Sequence, residues 1–360
     1  MPREVIVVNV GGCGVNIGKC ALEQFCVEQG ISSSGEKENK TESDEQLSTF
    51  FEETPDGKYV SRTLFVDLDP YSIENVRKRY QYSNVVHSDY MIAGKEDACG
   101  NFAKGHYTTG KELLDETRWA LRTLVEACDN VQGFIINQSF SGGTGGGFGA
   151  LILERMAVDF RRKHKLSFAV FPNENEHSTS IYNASLCLHW FLDHTEISVV
   201  MDNKSLHKIC AEQLNIKAPK YTDYNNIITK LISNYTANMR FAFNEGMGSL
   251  YHGLVPFPRL HFMTPSIAPI MKHNTVESKE NEHFDNIQNI TSQCVDSNNF
   301  LIDYPGYNPF RNTYLAMDLY FRGNGINKCL TQISEAVTSL NDNKEINWAP
   351  NFPNKPTIKV

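Results

Sequence analysis

Between residues 142 and 149 the chain reads Gly-Gly-Thr-Gly-Gly-Gly-Phe-Gly, six glycines in eight positions. An apolar run, Val131-Gln-Gly-Phe-Ile-Ile-Asn137, precedes it and reads as a strand. A helical pattern follows from about Phe148 to His164, with Leu151, Leu153, Met156, Ala157 and Phe160 on its apolar positions. A plain strand-to-helix turn rarely needs so much glycine. Glycine lets backbone N–H groups converge on an anion, and the start of the following helix adds a positive dipole end. Ser139 and Thr144 offer hydroxyl groups to phosphate oxygens. The run lacks the Gly-Lys-Ser/Thr ending of an ordinary P-loop. Its competing reading is a flexible turn.

Two weaker loops accompany it. Gly11-Gly12-Cys13-Gly14 follows a buried strand at 4–10, and apolar spacing from Val15 to Phe25 then predicts a helix to about Gly30. Gly18 comes one residue late for the dinucleotide fingerprint, because Ile17 occupies the third glycine position. A structural turn and a phosphate contact are both open here. Gly94 to Asn101 is a polar turn able to reach a phosphate, and alone it reads as a turn. Asp67 and Asp69 close a second strand at 63–68. They suit either Mg²⁺, through carboxylate oxygens and water, or N-capping of a helix that starts near Pro70.

Further strands are expected at 166–171 and 197–202, and helices at 111–127 and 223–242. Alternating strands and helices over the first 200 residues predict an α/β fold, a doubly wound parallel sheet that binds ligands at strand carboxyl ends. From Arg259 the pattern becomes a smaller mixed α/β domain. Strand-like 260–262, 314–321 and 357–360 flank one helix near 327–340. Residues 32–48 and 271–299 are polar and read as surface segments. The expected division is a nucleotide-binding domain at 1–203, a connecting helical region at 204–258 and an intermediate domain at 259–360.

Composition narrows the function classes. The 34 basic and 42 acidic residues leave a net charge of −8, which argues against a nucleic-acid binder. No apolar run approaches the length of a membrane span, so no membrane partner is expected. The first residues lack the order of a signal peptide. Nine cysteines are scattered with no Cys-x-x-Cys pair, a pattern of reduced thiols in the cytoplasm and not of a disulfide framework or zinc site. Trp119, Trp190 and Trp348 read as core. His106 and His252 read as packed or interface histidines more readily than as catalytic ones.

The glycine run Gly142–Phe148 resembles the signature loop of the tubulin family. Further segments are similar to that family along essentially the whole chain: Phe65-Val-Asp-Leu-Asp-Pro70, Lys104-Gly-His-Tyr-Thr108, Met201-Asp-Asn203, Tyr221-Thr-Asp-Tyr-Asn225 and Leu254-Val-Pro-Phe-Pro-Arg-Leu-His-Phe262. Cys26 to Ile31, the polar loop after it and Thr49-Phe-Phe51 look most like the alpha branch. The resemblance implies GTP and Mg²⁺ as cofactors, a β-tubulin-type partner, and other tubulin subunits in a microtubule lattice in the cytoplasm. It implies phosphate contacts from Gly12, Gly14, Ser139, Gly143, Thr144 and Gly145, with Gly11, Cys13, Asp97, Ala98, Asn101 and Gly142 as further nucleotide-binding residues. It places Mg²⁺ near Asp69 and Asp67. It places ribose and base at Asn203, Tyr221 (stacking) and Asn225 (hydrogen-bonding the ring edge), chemistry that suits a purine. Lys37 and Lys40 are candidates for the acetylated lysine of the alpha loop.

Four positions depart from that pattern. Gly12 stands where tubulins carry a glutamine, and Ser180 where alpha chains carry a ribose-binding glutamate. The segment from Arg240 to Leu254 is shorter. Ser249 stands at the glutamate that orients water against the next subunit's nucleotide, and a serine hydroxyl cannot serve as that base. Glu245 is the nearby substitute. The chain also ends at Val360, inside the intermediate domain, before the outer helices and acidic tail of tubulins. The expected function is a structural GTP-binding subunit whose own GTP is not hydrolysed. The alternatives are a stand-alone GTPase-like phosphate-binding protein and a non-functional truncated relative.

Overall fold

The computed structural model describes residues 3–37, 47–173, 178–241, 246–270, 287–304, 313–323, 329–342, 346, 348–349 and 357–359. The chain opens with strand β1 (Glu4–Val10) and helix α1 (Gly11–Glu28). A short antiparallel pair, β2 (Phe51–Glu53) and β3 (Tyr59–Ser61), leads into β4 (Thr63–Asp67), α2 (Pro70–Arg79) and β5 (Met91–Ala93). Next come α3 (Thr109–Glu126), β6 (Val131–Ser139), α4 (Gly149–Asp159), β7 (His164–Phe171) and α5 (Ser180–His194). Strand β8 (Ile197–Asp202), α6 (Asn203–Lys208), the long α7 (Tyr221–Phe241), α8 (Met247–Leu254) and β9 (Phe262–Met263) complete the central unit. The remainder holds α9 (Ile287–Val295), β10 (Asp318–Tyr320), α10 (Leu330–Asp342) and β11 (Thr357–Lys359).

The seven-stranded sheet has the order β5-β4-β1-β6-β7-β8-β9, and every pairing in it is parallel. Every residue of β1 is buried, as expected for a strand covered on both faces. On one face α1 and α7 pack Leu22, Phe25, Ile228 and Ile232 against the strands. On the other, α3, α4 and α5 contribute Leu121, Leu153 and Phe191. A separate small core, Leu319, Val337, Leu340 and Ile346, belongs to the last elements. The chain leaves β1 toward β4 on one side and later returns to β6 on the other. The switch point is therefore β1–β6, and a ligand crevice is expected beyond their carboxyl ends.

The doubly wound parallel sheet is confirmed, with differences in detail. Helix α1 starts at Gly11, so the glycines form its first turn instead of a loop before it. Helix α4 stops at Asp159 and β7 begins at His164, inside the span expected to stay helical. Helix α5 had no sequence expectation. Its burial falls on Asn183, Ala184, Cys187 and Phe191, while Ile181, Tyr182 and Leu186 stay exposed, which blurs the apolar stripe. Within the segment expected to be polar surface, 287–295 is a helix, and residues 271–286 lie outside those described. Strand character in 314–321 is confined to Asp318–Tyr320 and a bridge at Tyr314.

Trp119 does not lie in the core. It is 58% exposed on α3. The helix buries Leu113, Thr117, Ala120, Leu121 and Leu124, and Trp119 sits about 240° around the axis from Leu113. Trp190 packs, partly buried, against the core that α3, α4 and α5 share, and Trp348 against the small C-terminal core.

Candidate functional site

The carboxyl ends of β1 and β6 are built from backbone in contact with backbone. Gly11 has φ +73°, and a Cβ there would lie 2.9 Å from the Gly145 nitrogen. A Cβ on Gly14 would lie 2.1 Å from the Asn137 carbonyl oxygen, and one on Gly145 would lie 2.6 Å from that of Ser139. The third loop joins them, because a Cβ on Gly143 would meet the Asn101 nitrogen at 2.7 Å and the Ala98 Cβ at 2.8 Å. Three glycine-bearing loops thus interlock at one sheet edge, with no room for side chains at these contacts.

Helix capping separates the glycine-led helices from their neighbours α2 and α6. Asp69 caps α2 by accepting from the Tyr71 N–H at 3.0 Å, and Asp202 caps α6 by accepting from Ser205 at 2.5 Å. Neither α1 nor the wide π-type turn Gly143–Phe148 that leads into α4 has a side-chain cap or an acidic first turn. Their leading N–H groups and positive dipole ends favour an anion.

The site side chains fall as follows. Thr144 is buried in the glycine turn. The Ser139 hydroxyl donates to the Val170 carbonyl at 3.2 Å and accepts from the Ser141 N–H at 3.2 Å, so it braces the loop. Asp97 accepts from the Cys99 N–H at 3.0 Å, and Asn101 accepts from Ala103 at 2.9 Å. Both shape a turn in which Cys99 (φ +50°) and Gly100 (φ +67°) are left-handed. Asn183 was not anticipated as a site residue. It donates to the carbonyls of Gly100 at 2.7 Å and Ser141 at 2.9 Å, and accepts from the Phe102 N–H at 3.1 Å. It therefore stitches the third loop to the glycine turn. The missing signal was the helix that carries it.

Asp67 is buried at the end of β4 and faces Gly12, whose Cβ would sit 3.8 Å from its Oδ2. Burial pushes its carboxyl up to about 6, against the lowering effect of the Asp69 N–H and the Ser72 hydroxyl. Among the described residues no group of three or more His, Cys, Asp or Glu side chains forms a metal cluster. The capping reading of Asp69 is realised, and its geometry leaves one oxygen shared with Ser72 at 3.4 Å.

The other members come from the helices beyond β8. Asn203 opens α6 and Tyr221 opens α7. Tyr221 is 73% exposed, with its ring edge-on to Tyr224 at 5.8 Å. Tyr224 is held through its hydroxyl by His207 Nδ1 at 2.8 Å. Asn225, one residue further along α7, is half-buried. Helices α1 and α7 run side by side in the same direction, since Glu28 and Arg240 at their far ends are paired. Their starting residues therefore lie toward the same sheet edge. His106 is packed between Phe102 (5.3 Å) and Trp190 (5.0 Å), with Nδ1 at 3.0 Å from the Gly147 carbonyl. Burial holds its pKa below the usual value.

Ser249 is elsewhere. Its hydroxyl donates to the Gly246 carbonyl at 2.8 Å. The neighbouring Met247 N–H bonds Gln132 at 2.8 Å, and the Gly248 Cβ position is 3.6 Å from His164. Gln132 and His164 start β6 and β7, so Ser249 lies at the amino edge, roughly 23 Å along β6 from Ser139. It cannot reach the glycine loops of its own chain. Glu245, Lys40 and the side chain of His252 lie outside the described residues, whereas Lys37 forms a bridge with Ile31.

Comparison with known proteins finds matches along almost the whole chain. Residues 4–211 match the Tubulin/FtsZ family GTPase domain, and residues 258–355 match the tubulin C-terminal domain. The chain is 37% identical over 355 residues to the nucleomorph tubulin alpha chain of Guillardia theta, covering 97% of this chain and 78% of that one. It is 38% identical over 360 residues to the tubulin alpha chain of Pneumocystis carinii, covering 97% and 77%. It is 35% identical over 353 residues to the tubulin alpha-2 chain of Caenorhabditis elegans, covering 97% and 77%.

Proposed function

The chain belongs to the tubulin family and is most like its alpha members, and on that premise we propose that it is a GTP-binding subunit that pairs with a β-tubulin-type partner and assembles into microtubules. The observation that carries the reading is the uncapped, glycine-rich edge at β1–β6, where a side chain at several positions would strike backbone. The N–H groups of Gly11–Gly14 and of Gly142–Gly145 bind the phosphates, aided by the dipoles of α1 and α4. Tyr221 stacks on the base, and Asn203 and Asn225 hold the ribose and ring edge. Thr144 closes over the phosphates from within the turn.

The donor set fits Mg²⁺. Two carboxylates, Asp67 and Asp69, adjoin the phosphate loops, and this ion commonly takes few protein ligands beside phosphate oxygens and water. Asp67 is a buried carboxyl with no cation beside it among the described residues, and a divalent ion would supply one. Bound there, the ion would neutralise phosphate charge.

The chain's own GTP is held and not turned over, because none of the glycine loops offers a His or Gln to orient water. At the amino edge, Ser249 is turned onto the Gly246 carbonyl and has no carboxylate, so it does not activate water for a neighbour's nucleotide. Copurification with a β-tubulin-type chain and bound GTP is the expected result. A nucleotide-free monomer contradicts the proposal. Lattices containing this chain release phosphate slowly, and Ser249→Glu accelerates release; rapid release from the parent lattice contradicts the assignment of Ser249.

A further inference from the structure

Helices α1 and α7 start at the site edge and end together about 27 to 32 Å away, given their lengths and a 1.5 Å rise. At that far end lies a charge cluster that the nucleotide reading does not use. Arg240, at 0% exposure, donates from Nη1 to Glu28 Oε2 at 2.6 Å and from Nη2 to the Ser233 carbonyl at 2.8 Å. Its guanidinium lies over Phe25 (4.5 Å) and Phe241 (4.9 Å). Arg322 arrives from the segment after β10 and places Nη2 at 2.9 Å from the same Glu28 Oε2. Its Nη1 donates to Ser233 Oγ at 2.8 Å, and Ser233 Oγ in turn donates to Glu28 Oε1 at 2.6 Å.

The two arginine arms are unequal. The Arg240 arm joins two helices of the same packed core, with Arg240 fully buried and Glu28 12% exposed. The Arg322 side chain is 35% exposed and belongs to the unit with its own small core, Leu319, Val337, Leu340 and Ile346. That unit also touches α7 through Tyr320, whose ring is 5.3 Å from Tyr235. A sealed, desolvated ion pair is costly to break, whereas a wetted one exchanges its partner for water at small cost.

We infer that Glu28 is a three-way clasp with one permanent and one releasable arm. Arg240 fixes α1 to α7, and Arg322 fastens the C-terminal unit to that pair. Movement of the C-terminal unit over the sheet domain proceeds by releasing Arg322 from Glu28 while Glu28–Arg240 stays closed. The Tyr320–Tyr235 contact acts as the pivot, because an aromatic pair keeps its area through small rotations that a bidentate ion pair cannot follow.

Hydrogen exchange of the full chain, followed by mass spectrometry, tests this. Arg322→Gln should raise exchange across 313–323 about tenfold, the scale expected for loss of a charge-assisted bond. Amides at the ends of α1 and α7 should keep their protection. Arg322→Lys, which keeps one charged donor, should fall between, and it serves the same test if the glutamine variant is poorly folded. Arg259→Gln, which breaks an exposed pair with Asp193, should leave 313–323 unchanged. Unchanged exchange of 313–323 in both Arg322 variants overturns the clasp, as does equal loss of protection in α1 and α7. None of these readings depends on nucleotide, so failure here is separate from failure of the proposed function.

Discussion

The two ends of α1 are held by opposite means. Its first turn, Gly11 to Gly14, has no side-chain cap and meets other backbone at distances that exclude a Cβ. Its last turn ends in Glu28, whose carboxylate takes donors from Gln24, Ser233, Arg240 and Arg322. The first end stays polar because N–H groups are left open, which is what binding an anion requires. The second is polar because charges are satisfied internally, which is what holding elements together requires. An open polar end belongs to a ligand, and a closed one belongs to the fold.

The contrast breaks most severely at Gly14. Gly14→Ala places a methyl 2.1 Å from the Asn137 carbonyl, a clash with backbone that no rotamer relieves. We expect a loss of at least about 3 kcal/mol, read by urea denaturation, or no soluble protein. Glu28→Leu should come next. It strips the fully buried Arg240 of its carboxylate, and removing one partner of a buried pair costs about 3 to 5 kcal/mol in the same measurement.

A pH series sharpens the closed end. Burial raises the Glu28 carboxyl, but hydrogen bonding from Arg322 and the charge of Arg240 outweigh it and bring it from 4.5 down to about 2. A group with a depressed folded pKa stabilises the fold above its unfolded value. That contribution is present above pH 4.5 and is lost as pH falls toward 2. Denaturation midpoints followed through this window should fall less steeply for Glu28→Gln than for the parent chain. Equal slopes would contradict the ion-pair account.

The smallest effect is expected at Gly12, in the open end yet unlike its neighbours. Its Cβ would meet Asp67 and Ser72 at 3.8 and 3.9 Å, ordinary contact distances. Gly12→Gln should change stability by no more than about 0.5 kcal/mol while slowing nucleotide release, measured with a fluorescent guanine nucleotide. A large loss of stability would mean that the space beside Asp67 is not real.

These two ends also differ in how far the sequence reveals them. Steric exclusion writes itself directly as glycine, so the interlocked glycine edge and the parallel sheet beneath it are legible from Gly142–Gly149 and Gly11–Gly14. The clasp was not, because Glu28, Arg240 and Arg322 are far apart in the chain and each has the composition of an ordinary surface residue. Asn183 was hidden for a related reason: its helix exposes Ile181, Tyr182 and Leu186 and so lacks a clean apolar face. Trp119 misled in the opposite direction, since size alone suggested burial while its angular position on α3 directed it outward. The role of Ser249 at the amino edge came from resemblance alone, because a serine near glycine carries no chemical signature of its own.

The central claim is that the glycine edge holds a guanine nucleotide. Purified chain, denatured and separated chromatographically, should release guanine nucleotide in stoichiometric amount, and Gly145→Val, which drives a side chain toward the Ser139 carbonyl, should release almost none. A parent chain that releases no nucleotide, or an adenine nucleotide in place of guanine, would contradict the account.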